Sequence, residues 1–258
     1  MTFDKIVKKL LKSPSRIVSL ADLADLVAPG VRDLSAGQRA SVHKLAYRLK
    51  SSGVLSSVRR GLWTVVVPGS SAPCVNADEL YWGMLAKAAT AACGSRWLIA
   101  GRKALELHLR DVSAPDEIRV ITDGPSGVSA MSPGRRLRFA PLRKYGAKGG
   151  PTLFSKFLPL RVKVAAEGVV VPVACVEHAL LEYLSGPSRD RDGHLISRAL
   201  AKFGATLRRD VLGQLVSLRY IVAVNRLKEA AKRLGFPSIY ALCLDVIKRE
   251  GRGCFVTA

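Results

Sequence analysis

Nowhere in the 258 residues is there an apolar run of about 18 residues, the length a helix needs to cross a bilayer. A membrane partner is therefore not expected. The five cysteines, Cys74, Cys93, Cys175, Cys243 and Cys254, are odd in number and contain no Cys-x-x-Cys pair. They read as reduced thiols of a cytoplasmic protein, not as a disulfide framework. The four histidines, His43, His108, His178 and His194, lack metal-ligand spacing, so neither metal nor cofactor is expected. Walker A and Gly-x-Ser-x-Gly sequences are both absent. The glycine-rich basic run at 145–151 has no clear helix after it and reads as a surface loop, not a phosphate cradle. Asp4 comes early and an amphipathic stretch follows, which argues against a signal peptide.

Acid is scarce as well. With 41 Lys+Arg against 20 Asp+Glu, the chain carries a net charge of +21 and favours a polyanionic partner. The excess is not one basic tail. Residues 1–67 hold 12 Lys/Arg and 4 acids, 124–166 hold 9 and none, and 189–258 hold 14 and 6. A hydrophobic fraction of 48% is enough for a core, and the length suits one or two domains.

What is present begins with three helical patterns and a hairpin. Ile6, Val7, Leu10 and Leu11 recur at helical spacing over 3–11, and Ser13-Pro14 ends that stretch. Ser19 caps a second helix over 19–27, with Leu20, Leu23, Leu26 and Val27 as its apolar face. A third runs over 36–52, with Val42, Leu45, Ala46 and Leu49 as its stripe and Gly53 as C-cap. Residues 54–58 and 62–67 read as strands around Arg59-Arg60-Gly61.

Helix, helix, helix and basic-tipped hairpin is the order of a winged helix-turn-helix. Such a helix enters the major groove of double-stranded DNA, where polar side chains reach base edges. Gln38, Arg39, Ser41, His43 and Lys44 are expected to face the groove. Arg48, Lys50, Arg59 and Arg60 are expected on phosphates. A solvated basic face is the alternative for each of them.

Residues 68–75, rich in Pro, Gly and Ser, read as a linker to a second domain over 76–258. A helix opens at Asn76, with Leu80, Met84, Leu85, Ala88 and Ala91 as its buried face. Then come a strand at 97–100, Gly101, a helix over 102–109 and a strand over 117–122. Residues 135–141 read as a strand, 160–166 and 169–174 as a hairpin, and 175–184 as a helix. From 191 to about 249 the pattern is helical, broken at Gly204 and at Gly235-Phe236-Pro237. The fold class expected is α+β with two domains. Arg135, Arg136, Arg138, Arg143, Lys144 and Lys148 form a possible extended nucleic-acid surface, or a surface for an acidic protein.

Motifs spread over most of the chain carry a resemblance. Arg59-Arg60-Gly61-Leu62-Trp63, Ala100-Gly101-Arg102-Lys103-Ala104-Leu105 with His108, Glu177-His178-Ala179-Leu180 and Arg233-Leu234-Gly235-Phe236 resemble, in this order, motifs of the AbiEi antitoxins of abortive-infection toxin–antitoxin systems. The resemblance implies an N-terminal winged helix and a C-terminal domain of degenerate nucleotidyltransferase type. It also implies repression of the protein's own operon, through repeated promoter sites, and action against a nucleotidyltransferase toxin encoded nearby. Lys103 and Cys175 stand where that family more often has small polar residues.

An active nucleotidyltransferase needs a Gly-Ser after its first strand and two carboxylates alternating along the next, to hold magnesium. Here Arg102 follows the glycine. Asp116 and Glu117 are adjacent and would point to opposite faces, and Arg119 stands where the second acid is wanted. No catalysis is expected. A nucleotidyltransferase, and a non-enzymatic RNA-binding or scaffold protein, remain the alternatives.

Overall fold

A computed structural model describes the chain except residues 1, 14–15, 32–33, 60, 67–76, 125, 133, 144–151, 188–191 and 251–258, and the side chains of 59, 77–79 and 132. The fold is α+β with a mixed sheet. It divides into two compact units, Met1–Ala88 with Ala130–Arg135, and Ala89–Ser129 with Arg136–Ala258.

In the first unit the order is α1 (Phe3–Lys12), β1 (Ile17–Ser19), α2 (Leu20–Val27), α3 (Ala36–Ser51), β2 (Leu55–Arg59) and β3 (Leu62–Val65). The helical apolar stripes converge on one core: Ile6 and Leu10, Leu23, and Val42, Leu45, Ala46 and Leu49. Val54, Leu55 and Val65 close it from the antiparallel hairpin. β3 is the central strand, because β1 pairs with its other edge, Val18 opposite Trp63. Gly53 and Gly61 take positive φ (71° and 77°) at the end of α3 and in the hairpin turn, where a side chain would be strained.

Helix α4 (Ala77–Cys93) carries the division between the units within it, not at the boundary expected over 68–75. The reason is packing: Met84 and half-buried Leu80 join Ile17 and Leu62 in a second small cluster, so the first turns of α4 belong to the first unit. Tyr81, Trp82 and Leu85 are also buried, but Ala91, expected on the buried face, is exposed.

The chain continues with β4 (Trp97–Ile99), α5 (Arg102–His108), β5 (Glu117–Thr122), β6 (Gly127–Ser132), β7 (Arg135–Pro141), α6 (Phe154–Phe157), β8 (Arg161–Ala166) and β9 (Val169–Ala174), all in the second unit except Ala130–Ser132 of β6 and Arg135 of β7. Then come α7 (Val176–Ser185), α8 (Gly193–Phe203), α9 (Arg209–Leu215), a π turn (Val216–Tyr220), α10 (Ile221–Arg233) and α11 (Pro237–Arg249). The strand order is β6-β7-β5-β4-β9-β8. β4 runs antiparallel to β5 and parallel to β9, while β5 and β7 are parallel. Helix α7 packs against α5 and α10, which puts the ends of β4 and β9 against a helical layer. No helix among the described residues is long and apolar enough to cross a membrane.

Candidate nucleic-acid interface

Helix α3 has sixteen residues and no acid among them. At roughly 100° per residue its buried stripe fixes which side looks outward. Opposite Val42, Leu45, Ala46 and Leu49 stand Ala36, Gly37 and Ala40, then Lys44, Tyr47 and Ser51, all exposed. The first turns are thus small and the later ones long, which suits close approach of the helix's N-terminal half to a surface. His43 and Arg48 flank this stripe, and Ser41, Arg39 and Lys50 lie further round, all exposed.

Several expected groove residues have local duties. Gln38 falls on the core side of the helix, outside the outward stripe. Its amide oxygen accepts from Ser35 N–H (2.8 Å) while Ser35 Oγ accepts from Gln38 N–H (3.3 Å), a capping box. Arg39 Nε donates to Leu34 O (3.1 Å) and Ser41 Oγ to Gly37 O (3.0 Å). The Arg48 guanidinium lies 4.8 Å from the ring centre of Phe3 on α1. His43, Lys44 and Lys50 are exposed. Arg59 ends β2 with its side chain outside the described residues, and Arg60 lies outside them altogether. Tyr47, 73% exposed on the outward stripe, was not expected there. The same helical periodicity that marks the core locates it.

The second basic segment is differently disposed. Leu137 and Phe139 of β7 face inward, so Arg136 and Arg138 share the outward face. There β5 sets Glu117 and Arg119 beside them, Glu117 opposite Arg136 and Arg119 opposite Arg138. Arg138 holds Glu117 with two hydrogen bonds (2.6 and 3.2 Å), and Arg136 comes within 3.8 Å of the same carboxylate. These partners hold Glu117 below its usual pKa. Arg135 lies over the Tyr81 ring at 5.7 Å, and the Arg143 carbonyl accepts from Arg219. Lys144 and Lys148 lie outside the described residues.

A cleft of about 830 Å³ opens at the end of β4, lined by Gly101, Arg102, Lys103, Glu117, Arg119 and Glu182 among others. This is where the resemblance implies a degenerate catalytic centre. Arg119 Nη1 donates to Glu182 (2.7 Å), and Arg102 pairs with Glu106 (2.7 Å). Lys103 is buried, with Nζ on Glu106 (2.9 Å), Asp111 O (3.2 Å) and Ser113 Oγ (3.3 Å), so its charge is consumed in holding the α5–β5 connection. The charged side chains of the cleft mostly neutralise one another.

Behind it lies a buried chain that the sequence did not reveal. Tyr220 donates to Glu182 (2.7 Å) and meets His178 Nε2 at 3.0 Å. The Tyr220 proton is committed to Glu182, so Nε2–H of His178 is the donor to Tyr220. Nδ1 then has a lone pair without a partner among the described residues. Burial, aided by Arg219, pushes the His178 pKa down to about 3. His108 Nε2–H donates to the Ala174 carbonyl (2.8 Å). Cys175 and Cys243 are buried thiols pushed up to about 12, hence unreactive. Cys74 and Cys254 lie outside the described residues.

No protein-family model and no curated protein matches the chain. Among solved structures, the crystal structure of the RV2827C protein from Mycobacterium tuberculosis is similar, with a TM-score of 0.59 over 98% of this chain and 82% of that one. At 16% identity the likeness is one of fold alone.

Proposed function

We propose that this protein is a DNA-binding autoregulator, the antitoxin of a toxin–antitoxin pair. In this reading the first unit is a winged helix-turn-helix domain that represses the protein's own operon. Helix α3 enters the major groove and the β2–β3 hairpin is the wing. The observation that carries the reading is the outward stripe of α3: small residues, then Lys44 and Tyr47, with Arg39, Arg48 and Lys50 around it and no acid on the helix. Bases are read by the outward side chains and phosphates by the flanking cations. The element order α1-β1-α2-α3-β2-β3 and the sheet order β1-β3-β2 support it.

The second unit acts in this reading as a non-enzymatic partner of the first, and opposes a nucleotidyltransferase toxin encoded nearby. Its support is chemical. Glu117, one of the two carboxylates considered for a metal, is held by Arg138, and a cation at Arg119 faces the same cleft. The toxin is what the antitoxin resemblance implies.

Fluorescence anisotropy of the full chain tests the DNA reading, with a duplex from upstream of its own gene and a shuffled duplex, across a salt series. The upstream duplex is expected to bind on the order of 1,000-fold more tightly, with both affinities falling steeply with salt. Equal binding of the two duplexes at every salt concentration would sink it. For the second half, co-expression with the neighbouring gene product should relieve that product's toxicity, and relief should survive Glu117→Gln.

A further inference from the structure

We propose that a cleft in the first unit, bounded by α1, β1 and α2, docks an acidic amphipathic segment of a partner protein. The cleft has a volume of about 600 Å³. Its floor is apolar, made by Leu10 of α1, Ile17 and Val18 of β1, and half-buried Leu26 of α2. Its rim is cationic, with Lys8, Lys9 and Lys12 from α1 and Lys87 from α4.

The rim follows from the sequence of α1. Lys5, Lys8, Lys9 and Lys12 are spaced i, i+3, i+4, i+7, so they form one stripe, while Ile6 and Leu10 turn into the core. Asp22 is the acid in the lining, and its charge is already used. It pairs with Lys87, and it accepts from Ser19 N–H (2.6 Å) and Ser19 Oγ (2.7 Å) as part of the α2 capping box. Burial alone would raise its pKa, but these partners hold it below the ordinary value. Lys87 and Asp22 thus balance each other, and the three exposed lysines of α1 are left to set the sign of the rim.

The combination selects the occupant. A bare polyanion such as a DNA backbone would use the lysines and leave the floor unused. A neutral apolar segment would use the floor and bring nothing to the lysines. A second copy of this chain would meet its own net charge of +21. An amphipathic helix with apolar side chains at i, i+3 or i+4 and i+7, and acids beside them, satisfies floor and rim together. The lysine stems would lie along its apolar side chains while their ammonium groups meet its carboxylates. The surface is separate from the outward stripe of α3, and docking there does not require that the protein bind DNA.

The test uses the full chain and a fluorescein-labelled peptide with leucines at helical spacing and glutamates between them. A control peptide has the same composition with the leucines scrambled out of register. Saturable binding of the first is expected, at least about tenfold tighter than the control. Charge reversal at Lys8, Lys9 and Lys12 together (K8E/K9E/K12E) should weaken it by a further factor of about ten or more. The single exposed-site variants Lys9→Ala and Lys12→Ala, which leave the core untouched, should each weaken it by about two- to fivefold. The affinity for duplex DNA should change much less than the affinity for the peptide. Three results overturn the proposal: no saturable peptide binding, equal binding of the scrambled peptide, or a loss of DNA affinity in the variants as large as the loss of peptide affinity.

Discussion

A single buried imidazole ties the stability of the second unit to pH. His178 donates to Tyr220, which donates to Glu182, and its remaining nitrogen has no partner among the described residues to donate to if it gains a proton. An unfolded histidine titrates near 6.5, roughly the value in a free peptide, and the folded one near 3. Between those values the unfolded chain binds a proton that the folded chain refuses, so stability is full above about 6.5 and is lost as the pH falls toward 3. The slope reaches about 1.4 kcal/mol per pH unit. Melting temperatures measured from pH 7.5 to pH 4.5 should fall more steeply for the wild type than for His178→Gln. Identical slopes would show that another group governs the loss. On α3 the residue-scale expectation concerns Lys44 and Tyr47. Each is exposed, so Lys44→Ala and Tyr47→Ala should shift unfolding free energy by less than about 0.5 kcal/mol. Each should weaken binding to the upstream duplex by about 1 to 2 kcal/mol. Loss of fold without selective loss of binding would remove them from the interface.

Elements were more legible than side-chain duties. Helix α3 declared itself by a stripe that is buried in the structure, because a 3.6-residue period needs several turns to stand out and its sixteen residues supply them. Strand β1 did not: three residues cannot show a period, and Ile17-Val18-Ser19 is a strand because β3 offers it a free edge. Strand β6 was hidden by its Gly and Ser content, which reads locally as loop. The break at Gly204 was legible, and α8 ends there, but the extended residues Leu207-Arg208 before α9 carry no Gly or Pro to mark them. What holds the chain there is Glu177, which accepts from the Arg208 backbone (2.9 Å) and from its guanidinium (3.0 and 3.1 Å) across 31 residues of sequence. Gln38 shows the limit at a site. Three residues after Ser35 it reads equally as a groove contact or as half of a capping box, and the helix wheel places it on the core side. Removing the other half therefore makes an element-scale test. Ser35→Ala should cost about 1 kcal/mol in urea unfolding, since the Gln38 N–H at the start of α3 loses its acceptor, Ser35 Oγ. A cost near zero would mean that the box contributes nothing to holding the helix start.

At the scale of the whole molecule, a net charge of +21 invites the conclusion that every basic stretch meets the polyanion. The geometry argues for a division. On α3 the cations have no acid on their own helix to offset them. On β5 and β7, Arg136 and Arg138 share Glu117, and Arg119 is held by Glu182, so cations and acids alternate on one sheet face and largely cancel. Counterion release counts cations that reach phosphates, not cations in the sequence. The logarithmic salt slope of DNA binding should therefore fall by about 1 in Lys50→Ala or Arg48→Ala, the value for one lost phosphate contact. It should change by a small fraction of that in Arg136→Ala, although Arg136 is exposed. Equal slope changes in the two regions would extend the DNA footprint onto the sheet, and with it the work that the second unit does in binding.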